Sequence, residues 1–545
     1  MANAEIYPFT AEERSPILGA PNFPAHPSRR RIVYAALSVL TGLATTFPNA
    51  LVSVNVPYLS GELGIDAAQL YWLPAIYVAF NATGNLSLVK ARAQFGVQRV
   101  TAALLIAYFL AGLLQFLWPT FTAAVVIRAI NGATCAALIA LSVYYMQQAF
   151  PRRLLPMASL LGISLTQLGT PLARLVPVES LAADHWRGLH LLEVAVALVV
   201  LAATTAAPLP PNERSKAFEP LDFVTISLVI PAMVLLSGVL AIGRVVWWTD
   251  TPWLGWALAA VFPLLAAAAL VEHHRTRPLI QTRWIGTRTI IRFALVALLV
   301  RVALAEQTYN SVGLLTVGGL NNDQLHILFS LVIVAMVLGA ATAALTLSEA
   351  RLPYLIMAAA LAIALAATLD SGANNLTRPP QLYLSQALIG FGTTLFIGPA
   401  LVYGLLRMLQ RGVDHFITLV VLFSTTQNIG SLAGAALLGT YQTVFARAHA
   451  TALSEHLAGA DPQVAARLQG GATSLGAVIT DPALRGAQGG GLLAQSVGRE
   501  ANILAFNDTF RFVAILAVLV ALALIFMLVT DGVRRRRALP AEIPA

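Results

Sequence analysis

The chain has 545 residues, of which 58% are hydrophobic and 11% charged, with a mean hydropathy of +0.75 and a formal net charge of +9. A soluble domain carries about a quarter charged residues, so this much apolar surface needs the bilayer as its solvent. The single cysteine, Cys135, excludes a disulfide framework, a zinc site or a CxxC motif within the chain.

Residues 1–32 are polar and proline-rich and end in Arg29, Arg30 and Arg31. They contain no short apolar core with a cleavage site, so they are no signal peptide. They read as a flexible cytoplasmic tail. A helix needs about 20 apolar residues to cross the hydrocarbon core. Fourteen such runs follow, near 33–57, 69–89, 99–118, 120–149, 154–178, 187–207, 222–245, 253–271, 290–314, 324–348, 352–370, 381–408, 416–445 and 509–530. Between the last two, residues 446–508 are long, mostly polar and rich in glycine. They read as two short helices around a flexible middle on the outer side.

Basic residues set the orientation. Lys90, Arg92 and Arg99, the pair Arg152 and Arg153, and the five arginines from Arg275 to Arg292 all fall on the side of the N-terminus. So do Arg214, Lys216, Arg351, Arg407, Arg411 and Arg534 to Arg537. With the tail, this side holds 23 of the 34 Lys and Arg. That is the positive-inside pattern, with both termini cytoplasmic. It accounts for the basic charge without nucleic acid.

A Walker loop needs a lysine after a glycine. Neither lysine of the chain, Lys90 or Lys216, follows one. No metal-ligand spacing and no G-x-S-x-G motif is present, and His273 and His274 lie in a basic loop. Many spans without a catalytic or nucleotide motif point to secondary transport, with no cofactor and the proton motive force as the energy source.

Polar residues within spans carry a desolvation cost and mark pathways. In LLVRVALAEQTYN, Arg301 lies nine residues past Arg292, which is about 13 Å along a helix. Glu306 lies deeper. The two are turned about 140° apart on an α-helix, so Arg301 is expected to point at a neighbouring helix. Glu306, Tyr309 and Asn310 share one face, and Glu306 is expected to meet a wet cavity. A carboxyl group there suits a proton carrier. A structural ion pair is the plain alternative. Gln307 belongs to the same stretch, and Gln427 and Asn428 begin QNIGSLAGAALLGT. Arg128 lies in the fourth run. His190 and Glu193 stand three apart in the sixth, as a proton relay or an interfacial hydrogen-bonded pair. Arg174 is expected to snorkel outward or to pair with Glu193. Asp370 ends its run and reads as loop-like. Gly430 and Gly434 have GxxxG spacing, which suits close helix packing. Gly162, Gly169 and Pro171, with Gly390, Gly392, Gly398 and Pro399, mark places where helices bend or pack closely.

Several stretches together resemble the major facilitator superfamily, and within it the fourteen-span drug:proton antiporters of the EmrB/QacA type. They are Trp72 and Tyr77 in YWLPAIYVAF, Arg128 in RAINGATCAAL, HWRGLHLLEVAVAL, Asp222 in LDFVTISL, EHHRTRPLIQTRWI and QNIGSLAGAALLGT. ARAHATALSEHL and REANILAFNDTF are similar to the outer segment of members that work with an adaptor. The resemblance implies an all-α fold of two six-helix bundles, residues 33–207 and 290–533, with two inserted helices in 208–289 and a tail at 534–545. It implies proton-driven export by alternating access across a bacterial inner membrane. It also implies a periplasmic adaptor of the HlyD/EmrA kind and an outer-membrane channel. Three features depart from the family. SLVKARAQFGVQRV keeps Gly96 and Arg99 but lacks the acidic residue of its motif. The fifth run has Gly169-Thr170-Pro171 and then Arg174 in place of GPxxGG. Pro48 and Asn49 stand near the usual acid of the first span. These departures direct attention to Glu306 and Glu193. Transport of one specific organic anion is the second reading, because arginine clamps carboxylates. A non-transporting scaffold or sensor is the third.

Overall fold

The computed structural model describes residues 9–10, 12–63, 65–118, 120–457 and 461–538. It is all-helical. The membrane helices, in chain order, are α1 (Ser28–Leu63), α2 (Trp72–Phe95), α3 (Val97–Leu117) and α4 (Phe121–Ala149). The fifth run is broken into α5 (Leu155–Leu165) and α6 (Gly169–Ala173), followed by α7 (Val178–Ala206). Next come α8 (Pro220–Val246) and α9 (Pro252–His274). The ninth run is divided into α10 (Arg288–Ala303), a π-helical turn at Glu306–Ser311 and α11 (Val312–Val317). Then follow α12 (His326–Leu345), α13 (Leu352–Asp370), α14 (Tyr383–Leu409), α15 (Phe416–Glu455), α16 (Pro462–Ser474) and α17 (Pro482–Ala538).

Among the described residues, 11 helices are long and apolar enough to cross a membrane. The other three expected runs are helical without meeting that measure. Helix α2 carries Asn81, Asn85, Lys90 and Arg92. The fifth and ninth runs are interrupted. Between α5 and α6 the chain tightens into i→i−3 hydrogen bonds, from Thr166 N to Ile163 O, Gln167 N to Ser164 O and Leu168 N to Leu165 O. Gly169 then lies so close to α1 that a Cβ would sit 2.2 Å from Thr46 Oγ1 and 2.6 Å from Phe47 N. The glycine is there for close approach.

Helices α1 and α2 pack on α4, and α3 packs on α4 and α7. In the other half of the chain, α14 packs on α12 and α13, and α17 packs on α13 and α15. The halves meet where α2 lies along α15 and α5 along α14. Helix α8 lies on α2 and α15, and α9 lies on α8. A charge network fixes this pair at the basic face. Lys90 Nζ is 2.6 Å from Asp222 Oδ2. Arg275 reaches Asp222 at 2.9 Å, Glu219 at 2.9 Å and Glu272 at 2.8 Å. Burial works against the charge on Arg275, but its hydrogen bonds to the three carboxylates outweigh it and raise its pKa.

Two expectations are corrected. The N-terminal tail is not free throughout. Asn22 is buried, and its Nδ2 donates to Pro211 O at 2.9 Å. His26 bonds Gln148 at 2.7 Å. Residues 1–8 of that tail, and 539–545 of the C-terminal one, lie outside the described residues. The outer segment is also not two short helices around a flexible middle. Helices α15 and α17 run on beyond their apolar stretches, and α16 packs against α17. Gly470, Gly471, Gly486, Gly489, Gly490, Gly491 and Gly498 of this segment sit inside helices. A Cβ on Gly489 would lie 2.7 Å from Leu468 O and 2.9 Å from Ala472 N, so glycine here brings α16 and α17 together.

Gly489→Val is expected to part α16 from α17 and to speed protease cleavage between the two, while the membrane helices stay resistant. Removing Asp222 by alanine leaves Lys90 and Arg275 short of a buried partner. It is expected to cost about 3–5 kcal/mol, read as a lowered thermal midpoint. Burial lowers the pKa of His26, against its hydrogen bond with Gln148. Its neutral form therefore adds stability that is complete above about pH 6.5 and lost as pH falls through the lowered value. Hydrogen exchange at residues 13–27 is expected to quicken on acidification, and less so in His26→Gln.

Candidate functional site

The π-helical turn decides what Glu306 meets. A π turn bonds i to i+5, so the residue stacked on Glu306 is Ser311, not Tyr309. Ser311 Oγ donates to Glu306 Oε1 at 2.5 Å. Glu306 is fully buried and does not face an open cavity. It faces α14, where Gln386 Nε2 donates to Glu306 Oε1 at 3.2 Å, to Ser311 Oγ at 2.6 Å and to Asp370 Oδ2 at 2.9 Å. Gln307 Nε2 donates to Gln386 O at 3.3 Å. Asp370, the last residue of α13, is 5% exposed. It is not loop-like: one carboxamide ties it to Glu306. The second oxygen of Glu306 and both amide atoms of Asn310 are buried without a hydrogen-bond partner. Among the described residues, neither carboxyl forms a salt bridge.

Tyr309 faces elsewhere. Its hydroxyl lies 3.5 Å from Arg244 Nη1, and Arg244 Nη2 lies 3.3 Å from the Tyr71 hydroxyl. The guanidinium stands over both rings, 5.5 Å from the Tyr71 centroid and 5.0 Å from that of Tyr309. Glu306, Tyr309 and Asn310 therefore do not act as one face.

Arg301 turns toward α15, where its Nε donates to Gln427 O at 3.2 Å. Gly430 makes room, since a Cβ there would lie 3.0 Å from that of Arg301. On the same helix, Asn428 Oδ1 accepts from Asn81 Nδ2 of α2 at 3.3 Å. Ser424 Oγ donates to Asn81 O at 3.2 Å. Tyr77 donates to Cys135 Sγ at 2.9 Å beneath this contact. Both amide atoms of Gln427 and the Oδ1 of Asn81 are buried and unbonded. This is a polar layer between the two halves.

Arg128 and Glu193 form a buried ion pair between α4 and α7. His190 Nδ1 lies 3.8 Å from the other oxygen of Glu193. A cavity of about 60 Å³ beside them is lined by Arg128, His190, Gln115 and Thr120 among apolar side chains. That is room for a few waters. Arg174 neither snorkels nor meets Glu193. Its Nη1 donates to Asn322 Oδ1 at 2.5 Å, its guanidinium lies 5.2 Å from the Phe329 ring centre, and Asn322 reaches Asn55 of α1 at 3.5 Å. It ties the end of α6 to the start of α12.

Sequence reasoning took Asp370 for a loop residue and missed Gln386, Asn81 and Arg244. Gln386 carried a signal, an amide in the apolar run SQALIGFG. Replacing Glu193 by alanine is expected to cost about 3–5 kcal/mol, because Arg128 stays buried alone. The paired change Arg128→Met with Glu193→Leu is expected to recover most of it, read by thermal unfolding.

No protein-family model and no curated protein matches this sequence. Solved structures do. The human organic anion transporter MFSD10 (TETRAN) superimposes with a TM-score of 0.51 at 13% identity, over 90% of this chain and 100% of that one. A bacterial homologue of the human drug peptide transporters gives 0.54 at 12%, over 93% and 100%. The nucleoside transporter NupG, as a point mutant, gives 0.51 at 13%, over 91% and 99%. The MFS (major facilitator superfamily) proton:xylose symporter XylE gives 0.50 at 14%, over 91% and 95%, and the chain has the fold of these solved structures.

Proposed function

We propose that this protein is a proton-driven secondary transporter that exports amphipathic compounds across a bacterial inner membrane. Both termini face the cytoplasm, and the chain crosses fourteen times, as two six-helix bundles with α8 and α9 inserted. The observation that carries the reading is the contact of Glu306 and Asp370 through Gln386. Two carboxylates this close cannot both stay ionised in a low-dielectric core without a cation. The pair therefore holds a proton. Releasing it to the other side of the membrane changes the charge of the core, and that change is what drives a conformational equilibrium. Crossing a potential of 100 mV, one proton supplies about 2.3 kcal/mol, enough to hold a neutral solute at about fiftyfold excess.

The polar layer at Arg301, Gln427, Asn428 and Asn81 is the substrate site in this reading. It lies where the two halves meet, so rocking them would open it to either face. The Arg128–Glu193 pair, with His190, is a second place for proton exchange. Arg174 with Asn322 closes the outer side in this state. The outer helices α15 to α17 are the surface for an adaptor of the HlyD/EmrA kind, with an outer-membrane channel beyond. The fold of all four solved structures named above occurs in transporters, which supports transport over a scaffold.

The test is dye and drug efflux in a pump-deficient Gram-negative host, with and without an uncoupler. Glu306→Gln is expected to abolish gradient-dependent efflux, and Asp370→Asn to reduce it severalfold at matched expression. Proton-dependent pumping by Glu306→Gln would refute the role given to this pair.

A further inference from the structure

Several buried charges among the described residues are answered by an opposite charge within the chain. Lys90 meets Asp222, Arg128 meets Glu193, and Arg275 meets three carboxylates. Arg92, Arg174 and Arg301 form no ion pair among the described residues. Arg92 lies over the Tyr144 ring and Arg174 donates to Asn322, whereas the one hydrogen bond of Arg301 uses Nε, toward a backbone carbonyl. The nearby acids in the chain, Glu306 and Asp370, are engaged with Gln386. Val300 and Val302 on either side are buried, whereas Arg301 is half-buried, and among the described residues neither terminal nitrogen of its fork has a hydrogen bond. The amide of Gln427 beside it has neither donor nor acceptor satisfied, and Asn81 Oδ1 across the layer is also unbonded.

A guanidinium without a counter-ion at this depth is costly, and so is an unbonded buried amide. One guest satisfies both. A carboxylate takes the two-pronged bond that the guanidinium fork offers and a further donor from the Gln427 amide. A cation placed there would be repelled by Arg301 in a medium that screens poorly.

We propose that the substrates are amphipathic organic carboxylates, held through their anionic group by Arg301 and Gln427. This rests on the reading of the polar layer as the substrate site. The apolar remainder of the guest would lie against the helices that flank the layer, and Asn81 would accept a hydrogen bond from any hydroxyl or amide it carries.

The test is binding, which does not require pumping. The purified full-length protein in lipid nanodiscs is titrated with 1-pyrenebutyrate, its uncharged methyl ester, the lipophilic cation ethidium and chloride. Pyrenebutyrate is expected to bind roughly tenfold or more tightly than the ester. Arg301→Gln is expected to erase that preference, and Arg301→Lys to keep part of it. Gln427→Leu, which leaves the charge in place, is expected to weaken the carboxylate a few-fold and serves if the arginine variants do not fold. Glu306→Gln is expected to keep the preference; if it binds normally and the wild type shows no gradient-dependent flux, proton-driven export fails while this assignment stands. The assignment is overturned if no probe binds, if ester or ethidium binds as well as the carboxylate, if chloride alone is bound, or if Arg301→Gln keeps the preference.

Discussion

Gln386 holds two carboxyl groups on one amide nitrogen in the interior of an all-helical protein. The contact depends on a local irregularity. An unbroken α-helix through 288–317 would put Tyr309 and Asn310 over Glu306. The π turn at Glu306–Ser311 puts Ser311 there instead and sends Tyr309 toward Arg244. One run of chain thus serves two sites, a guanidinium facing α15 and a carboxyl facing α13 and α14, without the two neutralising each other. Local departures from α geometry often mark functional positions, and this one decides which side chain stands over Glu306.

The charges of the basic face do the opposite work. Asp222 caps the start of α8 by accepting from Glu219 N at 2.8 Å, and it holds Lys90 of α2 and Arg275 beyond α9. The helices α8 and α9 are thereby fixed to α2 by ions at one face. Toward the opposite face, Trp248 of the turn after α8 reaches α15, donating to Thr440 Oγ1 at 2.7 Å.

The membrane character of the chain, most of its helix limits and the polar positions at Arg301 and Glu306 were legible in the sequence, because periodicity and hydropathy are properties of single segments. Pairings were not. Asp370 stands at a helix end, where a carboxylate ordinarily meets water; only the fold reveals that Ser385 and Gln386 enclose it. Arg174 was read against Glu193, on the next helix, when its partner Asn322 lies 148 residues on. The glycines of the outer segment were read as flexibility. In this structure Gly471 and Gly489 are contact surfaces between α16 and α17, a distinction that depends on the neighbour rather than on the residue. The π turn left no mark in composition, and it altered the neighbours of every residue from Glu306 to Ser311.

Helix α17 is continuous from Pro482 to Ala538, 57 residues, or about 85 Å of rod. Roughly 40 Å of that precedes the apolar stretch that begins near residue 509. A rod with one end embedded in the core is a lever. A tilt of the core helices by about 10°, modest for alternating access, would carry its far tip by about 7 Å. Helices α15 and α16 brace it, so the motion would arrive as displacement rather than bending. Any body resting on that tip would be told, mechanically and without a ligand of its own, which way the protein is facing.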